Sequence, residues 1–376
     1  MASWYPSRVK PFLGTFVQRH TEAAAQNISM SALFVCSDTT MINTFEVESK
    51  DINGVFTVNV YYKKSGNPIW KLWRPVKAYW LGWKFVLANF GSPDLVHLNI
   101  IWPAGLFVYS LKLFSGIKYI ITEQWTGYMD NDGAYKRSST VKKYFTKLIA
   151  RNAEVVIPVS KTLQNAMEAY GVGLKFEVVN NVVDVSAFHP NPIANTNSKI
   201  TFLHVSTTFD EQKNISGILK AIKMLADKRT DFVFRIVSEA EFSAHEKLAK
   251  DLGLLNQYVF FESAKQTKGI AEEMRNAHCF VLFSNYETFG VVIVEAFASG
   301  LPIIASKAGG VLEQLTDEFG LFVEPRDING LCQAMDTMID TKDKYDAVKI
   351  RNYAIENFSY EAVGRKLNGI YSAVIN

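Results

Sequence analysis

The chain has 376 residues, 48% hydrophobic and 20% charged, too long for one typical domain and apolar enough to bury two cores. That composition excludes a disordered chain, and a net charge of +3, with no recognisable module, speaks against a nucleic-acid partner. The charge is uneven: residues 1–185 carry 20 Lys and Arg against 13 Asp and Glu, a balance of +7, and the rest carry 20 against 24, a balance of −4.

The opening MASWYPSRVKPFLG has no apolar stretch of the signal-peptide kind. The longest uncharged run, Leu95–Leu111, is interrupted by His97, Asn99, Pro103 and Gly105, which suits a strand, a turn and a helix rather than a membrane span. Cys36, Cys279 and Cys332 lie far apart and fit neither a zinc site nor a disulfide framework. These features predict a soluble cytoplasmic protein.

In residues 42–64, FEVESK and GVFTVNVYYKK flank an Ile-Asn-Gly turn, which predicts a β-hairpin inserted in the first domain. No acidic residue follows between Asp51 and Asp94, where Lys63, Lys64, Lys71, Arg74, Lys77 and Lys84 alternate with Trp70, Trp73, Trp80 and Trp83. One reading is an amphipathic helix with its aromatics packed inward and its lysines solvated. The other is a helix facing a membrane surface or an anionic ligand.

From Asp94 onward, LVHLNII, KYIIT and EVVIPVS, then ITFLHVS, FVFRIVS, YVFFES, CFVLFS, LPIIAS and GLFVEP read as buried strands. Helical patterns separate them, at 104–115 and 136–151 and in NISGILKAIKMLAD and TKGIAEEMRNA. This alternation predicts two doubly wound α/β domains with parallel sheets facing a cleft. A Pro/Asn/Ser stretch at 190–199 marks the break between them.

The chemistry concentrates in NYETFGVVIVEAFASGLPIIASKAGGVLEQL, residues 285–315. It follows a buried strand and opens a helix near Gly290, and such a junction points backbone N–H groups and the positive end of a helix dipole at a diphosphate. Gly290 lets backbone approach a ligand without a Cβ in the way. Glu287 and Glu295 would repel a phosphate and are better suited to accept hydrogen bonds from sugar hydroxyls. By spacing alone they could equally be one exposed and one salt-bridged glutamate of an ordinary helix.

The succession E-x-F-G, E-A-x-A-x-G-x-P-I-I-A-S and G-G resembles the donor signature of glycosyltransferase family 4, a retaining family of the GT-B fold, with Glu287 and Glu295 as its E-x7-E motif. SWYPSRVKPFLGTFVQRH, PDLVHLN, VIPVSKTL, VVNNVVDVSAFHP, EQKN and the closing FSYEAVGRKLNGIYSAV resemble further landmarks of that family in the right order. The resemblance implies a Rossmann-like acceptor domain at 1–187, a donor domain at 188–356, and a last helix at 357–376 returning to the first domain. It implies that Glu295 holds the nucleotide ribose, that Glu287 holds the transferred sugar, and that Phe289, Gly290 and Val291 give backbone contacts. Lys213 would neutralise the diphosphate, and Gly14 would face the cleft between the domains. The donor would be a UDP-, GDP- or ADP-sugar, the acceptor a glycan or lipid-linked molecule, with no metal required. It is the Trp/Lys segment at 70–84, not the resemblance, that suggests a lipid-linked or anionic acceptor and peripheral contact with the inner face of the membrane.

Three departures stand out. No arginine precedes Lys213 in HVSTTFDEQKN, where Thr207 or Thr208 takes the place. Gln124 stands where the family commonly has a histidine, with His97 as a neighbouring candidate. The apolar strand that normally precedes SWYP is not in the sequence, which predicts a perturbed region up to about residue 30. The first two leave room for a catalytically impaired binding partner, and the fold also admits a nucleotide-sugar epimerase.

Overall fold

Every apolar run from Asp94 onward becomes a parallel strand, because strands covered on both faces need continuous Val/Ile/Leu stretches rather than alternation. The structure, a computed structural model, describes residues 1–191, 199–239, 241–263 and 267–376. It divides into two units, Met1–Val182 with Tyr360–Asn376, and Val183–Ser359. The break expected at 190–199 lies, apart from its ends, outside the described residues.

The first unit begins with α1 (Thr15–Ala25), β1 (Met30–Ser37), β2 (Phe45–Ile52), β3 (Val55–Tyr62) and α2 (Pro68–Asn89). It continues with β4 (Leu95–Asn99), α3 (Gly105–Ser115), β5 (Lys118–Glu123), α4 (Ala134–Arg137), α5 (Thr140–Arg151), β6 (Val156–Pro158) and α6 (Lys161–Ala169). The strands pair in the orders β1-β3-β2 and β4-β5-β6. The β2–β3 hairpin turns on Asn53 and Gly54, with φ of 52° and 81°, the left-handed pair that a two-residue hairpin needs. β3 runs parallel beside β1 with Val55, Val58 and Val60 buried, so the hairpin is built into the sheet.

The expectation of a perturbed start does not hold in the form stated. Ala2 bridges Phe34 and Asn99 in parallel, its N–H donating to the Leu33 carbonyl at 3.0 Å while Asn99 N–H donates to the Met1 carbonyl at 2.9 Å. α1 follows as an ordinary helix. A cavity of about 390 Å³ is lined by residues of both β1 and β4, among them Leu33, Leu95 and His97.

α2 corrects the inward reading of its aromatics. Its buried face is Ala78, Tyr79, Gly82, Trp83 and Val86, whereas Trp70, Trp73 and Trp80 are exposed. Gly82 permits the close approach, since a Cβ there would lie 2.4 Å from Leu33 Cδ1.

The second unit runs β7 (Ile200–Val205), α7 (Asp210–Lys213), α8 (Ile215–Ala226), β8 (Phe232–Ser238), α9 (Ser243–Asp251), β9 (Val259–Ser263) and α10 (Thr267–Asn276). β10 (Cys279–Leu282), α11 (Val291–Ala298), β11 (Ile303–Ser306), β12 (Gly320–Val323), α12 (Ile328–Thr341) and α13 (Ala347–Phe358) complete it. Its core joins Phe202, Phe232, Phe234 and Val281 of the sheet to Leu219 and Ile222 of α8 and Met335 of α12.

The last helix, α14 (Tyr360–Ile375), belongs to the first unit. Its Val363, Leu367, Ile370 and Tyr371 pack with Ala23 and Ala24 of α1 and Ile120 and Ile157 of the sheet. Gly364 brings α14 onto the α1 backbone, where a Cβ would lie 2.4 Å from the Ala23 carbonyl oxygen.

Candidate functional site

The sheet of the second unit has the order β12-β11-β10-β7-β8-β9. The chain builds outward from β7 through β9, returns to place β10 against β7, and then builds the other way. Loops leaving the carboxyl ends of β7 and β10 therefore part company, and the crevice at such a reversal is where open α/β sheets bind ligands. The segment after β7 carries Lys213, at the end of α7, and the loop after β10 carries Glu287 and Gly290. Sequence reasoning named all three without the strand order that brings them together.

The two loops are stitched by short polar residues. Asn285 N–H donates to the Gln212 carbonyl at 2.7 Å, and Asn285 Nδ2 to the Glu211 carbonyl at 2.8 Å. Glu287 is 5% exposed, and its carboxylate is ion-paired with Lys213. It also accepts from Ser284 Oγ at 2.9 Å, with Gln212 Nε2 more distant at 3.5 Å. A buried carboxylate is tolerated only when so partnered. Ser284 and Gln212 escaped attention in the sequence, although short polar residues just past a buried strand are the available signal.

Lys213 is held by what precedes α8. Asp210 accepts the Ser216 N–H at 2.8 Å and the Ser216 hydroxyl at 2.6 Å, with Asn214 between them at φ 52°. Burial raises the Asp210 pKa, but the bonds from Ser216 and His245 outweigh it and leave the group below its ordinary value. Behind the loop, burial pushes His204 down to about 4, so the imidazole is neutral and its Nδ1–H donates to the Val281 carbonyl at 2.8 Å. Thr207 and Thr208 occupy the loop between β7 and α7.

Gly290 caps α11 at φ 81°, a left-handed conformation in which a side chain is strained. α11 starts at Val291, so its first turn presents the N–H groups of a helix end at the β10 side of the reversal. Phe289 is buried, meets Phe358 edge to face, and its carbonyl accepts from the Gln314 amide. Glu295 is buried one turn along α11, on the same face as Val291.

The remaining predicted residues lie in the first unit. Gln124, just past β5, is buried and its Nε2 has no hydrogen-bond partner. Beside it is a residue the sequence reading did not single out. The Glu123 carboxylate accepts the backbone N–H of Gln124 at 2.9 Å, Trp125 at 3.0 Å and Ile101 at 3.2 Å. Burial raises its pKa against those three donors, and its role is to hold the strand-end loops. Gly14, at φ 72°, approaches Trp4 so closely that a Cβ would lie 2.6 Å from the Trp4 carbonyl carbon. His97 is engaged on both ring nitrogens, with Tyr371 Oη and Thr122 Oγ1 each at 2.7 Å, which makes it a tie between sheet and α14. Among the described residues no group of three His, Cys, Asp or Glu is arranged to hold a metal.

Residues 38–187 match the model of the family described as Glycosyltransferase Family 4, and residues 186–357 that described as Glycosyl transferases group 1. The chain belongs to glycosyltransferase family 4. This transferase is 25% identical over 298 residues to an uncharacterized glycosyltransferase of Methanocaldococcus jannaschii, covering 79% of this chain and 78% of that one. It is 25% identical over 242 residues to a GDP-mannose-dependent monoacylated α-(1-6)-phosphatidylinositol monomannoside mannosyltransferase of Corynebacterium glutamicum, covering 59% of this chain and 63% of the other. Its fold is that of Anabaena HepE, solved with UDP and glucose, at a TM-score of 0.72 and 17% identity over 96% of this transferase and 95% of HepE. The α/β architecture is GT-B, and the activity class is glycosyl transfer.

Proposed function

We propose that the protein transfers a sugar, with retention of anomeric configuration, from a nucleoside diphosphate sugar to a glycan or lipid-linked acceptor. The observation that supports this most is the meeting of Lys213 and Glu287, from separate loops, at the strand reversal where α11 begins. An arriving diphosphate competes with Glu287 for Lys213. The lysine and the helix end then carry the leaving group's negative charge, an interaction that strengthens as the bond breaks. Freed from the lysine, Glu287 accepts hydroxyls of the sugar, and Glu295 accepts the ribose diol. Phe289, Gly290 and Val291 line the approach with backbone.

In this reading the bond from the anomeric carbon to the diphosphate oxygen breaks, and a bond to the acceptor oxygen forms on the same face. The acceptor's proton passes to the departing diphosphate. Lys213 and the α11 end supply the charge that a divalent cation supplies elsewhere, so activity is expected to survive chelation with EDTA. Gln124 cannot titrate and serves as a donor to a hydroxyl or phosphate. The work is placed in the cytoplasm, and at the inner face of the membrane when the acceptor is lipid-linked.

Release of nucleoside diphosphate from UDP-, GDP- and ADP-sugars tests this directly. One donor class is expected to turn over, with Glu287→Gln lowering kcat by about 100-fold. Equal turnover by wild type and Glu287→Gln contradicts the assignment.

A further inference from the structure

We infer that the outward face of α2 docks on an anionic phospholipid bilayer surface. This deepens the membrane placement proposed above but stands on separate residues, far in sequence from Lys213, Glu287 and Glu295.

A helix on the surface of a folded unit turns its apolar face inward; α2 also leaves apolar side chains exposed, all round its first turn and along an arc that it shares with the buried Trp83. Ile69, Leu72, Trp73, Val76, Trp80 and Leu87 fall at intervals of 3, 4, 7, 11 and 18 residues from the first, within about 100° of arc, and all are exposed. The exposure is large where it matters, 73% for Ile69, 76% for Leu72 and 43–46% for Trp70, Trp73 and Trp80. α3 touches α2 through Phe107, which stacks on Tyr79 and meets the Trp80 edge. It adds Leu106, Leu113 and Phe114 to the exposed apolar residues.

Charge selects the occupant. Lys71, Lys77 and Lys84 on α2, with Lys63 and Lys64 just before it, are exposed, and residues 52–93 contain no Asp or Glu. A second copy of this chain on the same face would set the lysines of one helix against those of the other, with no acid of this segment to pair them. A sheet of anionic headgroups over hydrocarbon matches both parts: the aromatic residues enter the interface and the lysines meet the headgroups. No described helix is long and apolar enough to cross a membrane, so the helix lies in the surface.

The helix is formed before it docks. Asn67 Oδ1 accepts the Ile69 N–H at 2.9 Å and caps the first turn. Arg74 donates to the Lys63 carbonyl at 2.6 Å and the Lys64 carbonyl at 3.2 Å, tying the preceding loop to the helix. Binding therefore orders little that is not already ordered.

The experiment is co-sedimentation of the full chain with vesicles of phosphatidylcholine alone and of phosphatidylcholine mixed with phosphatidylglycerol. Nucleoside diphosphate affinity is measured in parallel. Wild type is expected to pellet with the anionic vesicles and to be released by high salt. Combined Trp70→Ser, Leu72→Ser and Trp73→Ser substitution should weaken pelleting by about tenfold or more, and Lys77→Glu with Lys84→Glu, the lysines that flank the exposed arc, should abolish the preference for anionic lipid. Both variants should keep the wild-type melting temperature and diphosphate affinity, which separates docking from the donor-site reading. Equal binding to neutral and anionic vesicles, or none to either, overturns the inference. So does a wild-type dimer that the serine substitutions dissolve.

Discussion

The buried Glu287 and the half-buried Lys213 form a pair with two roles, and the account predicts that the roles can be separated. Lys213→Ala leaves the Glu287 carboxylate buried without its cation and should cost about 3 kcal/mol of unfolding free energy. Lys213→Met combined with Glu287→Gln should recover most of that loss in urea denaturation while donor turnover stays absent. Recovery of turnover in the double variant would show that the pair is structural. The buried histidines make a different prediction. Burial holds His20 and His204 down to about 4 and His97 well below its ordinary value. Each stays neutral in the folded chain while the unfolded chain takes up a proton near pH 6.5. Unfolding therefore binds protons below pH 6.5, and stability falls as pH drops from there toward 4, by up to about 1.4 kcal/mol per pH unit for each histidine. The urea midpoint should decline between pH 6.5 and 5, and His204→Gln should shallow the decline. A midpoint that is flat over that range contradicts the burial argument. Of these groups the sequence pointed to Glu287 and Lys213 through a family motif. It assigned no role to His20 or His204, because their neutral state depends on packing.

At the scale of elements, the parallel strands were legible because burial on both faces leaves an uninterrupted apolar run, as in ITFLHVS and CFVLFS. β1 was not, since MSALFVCS mixes small and polar residues into its apolar core and carries no alternation to mark it. β3 was recognised as half of a hairpin, but its parallel partner β1 is a non-local pairing that no turn signals. α2 shows the other limit: its pattern left open whether the aromatics pack inward or face outward, and only the packed sheet decides which of them are covered. The seat of α14 offers a paired test within one helix. Gly364→Ala pushes a Cβ toward the Ala23 carbonyl and should destabilise by about 1–3 kcal/mol. Gly369→Ala opens into free space and should stabilise by up to about 1 kcal/mol. Melting temperatures that move together would mean that α14 is not seated on α1.

For the whole molecule, the basic excess of residues 1–185 and the acidic balance of the remainder follow a division of labour. The half with the outward apolar helix carries the cations, while the half with the proposed donor site relies on Lys213 and a helix end. The fold class could be read from alternation and motif order, whereas the strand reversal that sets β7 beside β10 could not, because it is a non-local pairing. Thr207 and Thr208, in place of an arginine, leave Lys213 as the cation that the account depends on. Calorimetric titration of UDP, GDP and ADP into wild type and Glu295→Ala tests the donor site most directly. The account predicts that one diphosphate binds wild type and that Glu295→Ala weakens it by about tenfold or more. Failure of all three to bind wild type, or an affinity unchanged in Glu295→Ala, would contradict the placement of the donor at α11.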